Sequence, residues 1–182
     1  MDKFARFLQI LASRFAAPQA GATGPGNQLA FTIELQEQTF WCWAASSVSV
    51  NHYFDKSSTW KQCEVVNQCL GLGTCCIAGN SNQCNTWGYL DRALEAVHNF
   101  DSKDSHRASL DEVSAEVDAG RPLCVHIEWR DGTGHFAVID GYAGDTIHVA
   151  DPYWNTATIG YDDFPRRYHG GGAWTHTYRV RR

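Results

Sequence analysis

Nowhere in this chain of 182 residues does an apolar run approach the roughly 18 residues a membrane-spanning helix needs, so no membrane span is expected. A basic excess is missing too: 15 Lys and Arg stand against 20 Asp and Glu, a formal net charge of −5. A nucleic-acid partner would call for a basic face; only the Arg179–Arg182 end is basic, and it reads as a solvated tail. No internal repeat is visible, which sets solenoids aside. The cysteines contain no Cys-x2-Cys pair, and no histidine lies among the five that cluster, a poor match to tetrahedral zinc. Neither metal nor cofactor is expected. What the chain does have is aromatic mass: 13% Phe, Trp and Tyr, with seven tryptophans, against only 19% charged residues. That composition and length suit one globular domain with its own core.

Seven cysteines are many for a cytosolic resident. Cys124 lies in the apolar run Leu123-Cys-Val-His-Ile and reads as a buried free thiol. Cys63, Cys69, Cys75, Cys76 and Cys84 crowd into a Gly- and Asn-rich stretch. Two disulfides and one spare thiol are expected there, with the connectivity open. Cys42 stands apart from all of these.

The first 27 residues read as a leader and linker, with the main domain over 28–182. Phe4, Phe7, Leu8, Leu11 and Phe15 share a helical face, and Lys3, Arg6 and Arg14 add positive charge. Arg14 closely follows the short apolar stretch, so an amphipathic leader, or the edge of a larger protein, is preferred to a cleaved signal. Ala20–Asn27 has the composition of a flexible linker.

Helices are expected over Trp43–Phe54, briefly within Trp60–Leu70, and over Thr86–His98, where Trp87, Leu90, Leu94 and Val97 recur at helical spacing. Residues 99–108 read as a polar loop. Ser109-Leu-Asp-Glu112 is a capping box that opens another helix, closed by Gly120 and Pro122. Alternation then predicts a strand over 123–129, and turn-bounded runs predict further strands over 135–142, 146–150, 157–161 and 174–180. Helices first and an antiparallel sheet afterwards make an α+β domain.

Chemistry concentrates in Gln36-Glu-Gln-Thr-Phe-Trp-Cys42-Trp-Ala-Ala. This is a polar loop running into a helix with a cysteine at the junction, where the helix dipole favours a thiolate. Gln36, six residues upstream, is placed to stabilise an oxyanion beside that sulfur. Gln38 is a competing choice at a less suitable spacing. His135 opens a strand just after the glycine turn ending at Gly134, and Asp151 closes the next strand. A hairpin between the two strands brings His135 and Asp151 together, so that one ring nitrogen faces the carboxylate and the other faces Cys42. Trp41 and Gly134 are the expected substrate-binding residues. Tyr153 and Trp154 are candidates for shielding the His135–Asp151 bond. The remaining histidines read as structural or exposed.

Gln-x5-Cys-Trp-Ala resembles the nucleophile segment of papain-like cysteine peptidases. Trp-Cys-Trp-Ala-Ala, with Gln62-Cys-Glu64 and Cys75-Cys76 downstream, is closer to a bacterial branch of secreted effector and toxin proteases, distantly like bacteriocin-processing double-glycine peptidases. The likeness covers about residues 28–182, although the Gly and Ser that precede the cysteine in plant papains are absent. It implies a papain-like fold, in which the nucleophile helix packs on a sheet. It implies Cys42 as nucleophile, His135 as base and acid, Asp151 as orienter, and Gln36 with the Cys42 N–H at the oxyanion. It further implies hydrolysis of a protein substrate, possible cutting after small residues such as Gly-Gly, secretion or translocation into a target cell, and a cognate immunity or inhibitor partner. Two rivals use the same residues differently: a transglutaminase-like acyltransferase or deamidase, and a non-catalytic, disulfide-stapled binding module.

Overall fold

A computed structural model describes residues 26–182. The leader and most of the linker lie outside the described residues. A short strand β1 (Asn27–Gln28) is followed by three helices, α1 (Cys42–Phe54), α2 (Gln62–Leu70) and α3 (Leu90–Ala96). Then come β2 (Phe100–Asp104), α4 (Leu110–Asp118), β3 (Leu123–Trp129), β4 (Gly134–Ala143), β5 (Thr146–Asp151), β6 (Asn155–Gly160), a 3-10 turn at Tyr161–Asp163, and β7 (Gly172–Val180). The strands form one antiparallel sheet in the order β2-β7-β3-β4-β5-β6, with β1 added alongside the far end of β4. This is the α+β arrangement expected.

Strand alternation divides the apolar residues between two cores. On one face Cys124, Phe136, Val138, Ala150 and Tyr178 pack with α1, α2 and α3. On the other, Val125, Ile127, Ala137, Ile139 and Val149 meet Val113 and Val117 of α4 and the Phe164–Tyr168 segment. The nucleophile helix α1 is buried from Cys42 to Asn51. Its alanines and serines are small enough to allow this, and burial rather than intrinsic propensity holds the helix. The buried hydroxyls of Ser47 and Ser49 donate to the Ala44 and Ala45 carbonyls, so they carry no unpaired polar cost. The Ser109 capping box forms as expected, the Ser109 Oγ accepting from Glu112 N and Glu112 Oε2 accepting from Ser109 N.

Two expectations need correction. The helix over Thr86–His98 is shorter, starting at Leu90. Trp87 stays half-exposed and lies against Phe40 at 4.7 Å between ring centroids. Gly88 fits under the Trp43 indole, and Trp43 Nε1 donates to the Thr86 carbonyl. Contact with the nucleophile segment therefore outweighs helical periodicity here. The polar stretch 99–108 is not all loop either, because Phe100–Asp104 pairs with β7. This strand alternates between half-buried and exposed positions at the sheet edge, so it lacks the apolar signal of an internal strand.

At Gly88 an added Cβ would stand 2.2 Å from Trp43 Cε2. Gly88→Ala is therefore expected to cost about 1–3 kcal/mol through overpacking, read as a lower urea midpoint with an unchanged slope.

Candidate active site

Three segments converge where α1 begins. Cys42 is the first residue of that helix, no side chain caps the helix start, and no acidic residue occupies its first turn. The positive end of the helix is thus left to the sulfur beside it. His135 is the second residue of β4, and Asp151 is the last of β5. The hairpin register, Val138 opposite Ala150, carries them to neighbouring positions. His135 Nε2 lies 2.9 Å from both Asp151 oxygens. The other ring nitrogen, Nδ1, is not engaged by Asp151, and Cys42 is among the groups that raise the ring's pKa. Cys42, His135 and Asp151 are all buried.

The tight turn after β5 does more than reverse the chain. Tyr153 N and Trp154 N both donate to Asp151 Oδ1, at 2.7 and 3.1 Å. Tyr168 Oη donates to Asp151 Oδ2 at 3.1 Å. Tyr168 was not singled out from the sequence, since a lone tyrosine in a loop carries no local signal. The imidazole sits between two indoles. Trp129 stacks on it at 5.9 Å and Trp154 meets it edge-on at 5.2 Å. His169 in turn stacks on Trp154 at 3.8 Å. Of the two shielding candidates, Trp154 covers His135, whereas Tyr153 is mostly exposed.

Electrostatics favour a protonated ring. Burial, the largest influence, works to lower the His135 pKa, but the bond the ring donates to the Asp151 carboxylate and the neighbouring Cys42 sulfur outweigh it and raise the value to about 9.

Gln36 is held close by: its N–H donates to the Pro152 carbonyl at 2.8 Å, tying its loop to the turn that follows Asp151. Its side-chain nitrogen donates to the Gln38 and Thr39 carbonyls at 2.9 and 2.6 Å, and its Oε1 is buried without a partner. In this arrangement both amide hydrogens are engaged within the loop. Gln62, which the sequence marks only as part of a family-like motif, is buried and braces the same loop through Glu37 N and the Leu35 carbonyl.

Disulfides Cys63–Cys76 and Cys75–Cys84 leave Cys69 free, the expected count. They also fasten the segment that supports the nucleophile. Trp41 Nε1 donates to the Cys84 carbonyl at 2.8 Å, and Phe40 N donates to Asn85 Oδ1 at 3.0 Å. Trp41 is only 1% exposed, so it packs under the site and does not wall a cleft. Exposed aromatic surface is supplied by Trp87, Tyr89, Tyr153 and Trp154 instead. Gly134 does line a cavity of about 460 Å³, together with Trp87, Tyr89, Phe136, His126 and His176.

A cysteine at a helix start, faced by a buried His–Asp pair on an antiparallel sheet, defines a papain-like cysteine peptidase domain. The chain belongs to the Peptidase_C39 like family, which residues 28–181 match, and it is accordingly a cysteine peptidase, a hydrolase of peptide bonds. No curated protein matches it in sequence. Among solved structures it is similar to a C39-like peptidase from Bacillus anthracis, at 15% identity over 87% of this chain and 99% of that one, with a TM-score of 0.56. The peptidase domain of Streptococcus ComA, a bifunctional ABC transporter of a quorum-sensing pathway, shares 12% identity over 84% and 99% of the two chains, TM-score 0.54. A double glycine motif protease from an AMS/PCAT transporter, solved with its leader peptide, shares 19% over 85% and 95%, TM-score 0.50.

Two outcomes are expected from this geometry. Because the folded His135 pKa lies above its ordinary 6.5, its stabilising charge is fully present below pH 6.5 and lost as pH rises through about 9. The melting temperature should fall across that window in wild type and vary less in His135→Ala. The paired variant Cys75→Ser/Cys84→Ser should lose about tenfold in kcat/KM while still melting cooperatively, since the loop that supports Trp41 is freed.

Proposed function

We propose that this domain is an endopeptidase in which Cys42 attacks the peptide carbonyl and His135 moves the proton. The observation that carries the reading is the bond from His135 Nε2 to the buried Asp151 carboxylate, which leaves Nδ1 for the sulfur. The Cys42 thiol passes its proton to His135 Nδ1 as the sulfur becomes the nucleophile. The sulfur adds to the carbonyl carbon, and His135 Nδ1 gives its proton to the departing amine as the C–N bond breaks. A water molecule, deprotonated by the same nitrogen, then opens the thioester and releases the acid. Asp151 holds the ring throughout and stabilises its charged form. The Cys42 N–H, and Gln36 once it exchanges one carbonyl partner for the substrate oxygen, stabilise the oxyanion.

The substrate in this reading is a protein segment. Leu35 and Tyr153 line one surface cavity and Trp87 and Tyr89 another, and these exposed apolar side chains are the contacts an extended segment would use. The cavity by Gly134 offers a substrate side chain a mixed wall, Trp87 and Phe136 beside Lys103, Glu128 and His126, and the cut itself falls beside small residues such as Gly-Gly.

Two disulfides suit a protein that works outside a reducing cytosol. With the sequence likeness to secreted bacterial proteases, this favours a secreted toxin or effector that acts in an oxidising compartment of or around a target cell, with residues 1–27 as leader and linker and an immunity partner in the producer.

Cys42→Ala, His135→Ala and Asp151→Ala should each fold and lose at least about a hundredfold in kcat/KM on a peptide library. Mass spectrometry of the products should show chain cleavage, not deamidation or cross-linking. Cleavage that persists in purified Cys42→Ala would sink the assignment.

A further inference from the structure

Asp151 is completely buried, and its carboxylate gathers more partners than orientation of one imidazole requires. Besides His135, it accepts two main-chain N–H groups on Oδ1 and the Tyr168 hydroxyl on Oδ2. A buried carboxylate facing a protonated ring attracts it strongly, because little solvent screens the pair. An imidazolium held too firmly is a poor acid, yet the same ring must give its proton to the leaving amine. Neutral donors on the carboxylate take up part of its charge and lessen that pull.

Tyr168 is built for this. Its ring is fixed against Phe164 at 5.3 Å, His169 at 4.2 Å and Trp154 at 6.2 Å. Burial first, and then the Asp151 charge, push its pKa far above the usual phenol range, so the hydroxyl stays a donor at any working pH. The other titratable groups near the pair are Cys42 of α1, His126 of β3 and His169 beside Tyr168. Burial holds His126 down at about 4 and lowers His169, so neither brings charge at neutral pH. Tyr168 is thus the side chain free to moderate Asp151 without adding charge.

We propose that Tyr168 is a positioning residue: its hydroxyl fixes the second oxygen of Asp151 and draws off enough of its charge that His135 can release its proton. Oδ1 is already anchored by two amides, so loss of the hydroxyl changes the charge that His135 meets more than the place of the carboxylate. The inference rests on the assignment of His135 as the proton carrier.

The test is Tyr168→Phe, which keeps the ring and removes the donor. The His135 ring titration, followed by NMR, should move upward by about half a unit. With a peptide chosen from the library, kcat should fall about tenfold while KM stays within about twofold. In an Asp151→Asn background the same substitution should leave the His135 titration in place, since the effect passes through the carboxylate. A folded Tyr168→Phe whose His135 titration is unmoved or shifted downward overturns the proposal. So does a change confined to KM, or a variant that does not fold, because Tyr168 would then serve only the fold. The NMR titration needs no turnover, so failure of the peptidase reading, seen as activity in Cys42→Ala, is distinguishable from failure of this one.

Discussion

The bond between His135 and the buried Asp151 is the constraint around which the rest of the site is arranged. A carboxylate with no exposure to water is costly unless every lone pair finds a donor. Here the turn amides of Tyr153 and Trp154, the Tyr168 hydroxyl and the imidazole all converge on it. That need dictates the tight turn after β5 and the return of the 164–171 segment over the sheet end. The same donors orient His135 with one nitrogen committed to Asp151 and the other turned toward Cys42.

His135 also stands where the two cores meet. Its neighbours Ala137 and Ile139 along alternate positions of β4 belong to the core shared with α4. Cys42 belongs to the core shared with the other helices. The pairing of sulfur and imidazole therefore reports on how both cores pack. Three devices fix the Cys42 side: the buried helix α1, the Gln62 brace beneath the Gln36 loop, and the cross-linked segment that receives Trp41 and Phe40. The disulfides bear on the position of Cys42 through those last contacts.

Much of this was legible along the chain. The strand β3 follows from alternation and β4 and β5 from turn-bounded apolar runs, and the hairpin of β4 and β5 predicts that His135 and Asp151 meet. The capping box at Ser109 locates α4 because its two hydrogen bonds are local. Legibility failed wherever a partner distant in sequence decided the outcome. Thr86–Tyr89 has helical periodicity, but the Trp43 indole lies over Gly88 and holds the segment out of the helix. Phe100–Asp104 reads as polar loop because only its pairing with β7 makes it a strand. Trp41 looks like a cleft wall until the Cys84 carbonyl is seen to take its indole N–H.

The residue types, their order and their local spacing determined the fold class, the cysteine at a helix start, the histidine after a glycine turn and the carboxylate one hairpin away. Each of those depends on interactions within a few residues or on one strand period. Tertiary structure alone decided which cysteines pair, that Gln36 spends its amide on its own loop, that Trp129 and Trp154 enclose the imidazole, and that Tyr168 completes the shell of Asp151. Those outcomes depend on which surfaces the two cores press together, and neither composition nor periodicity carries that information.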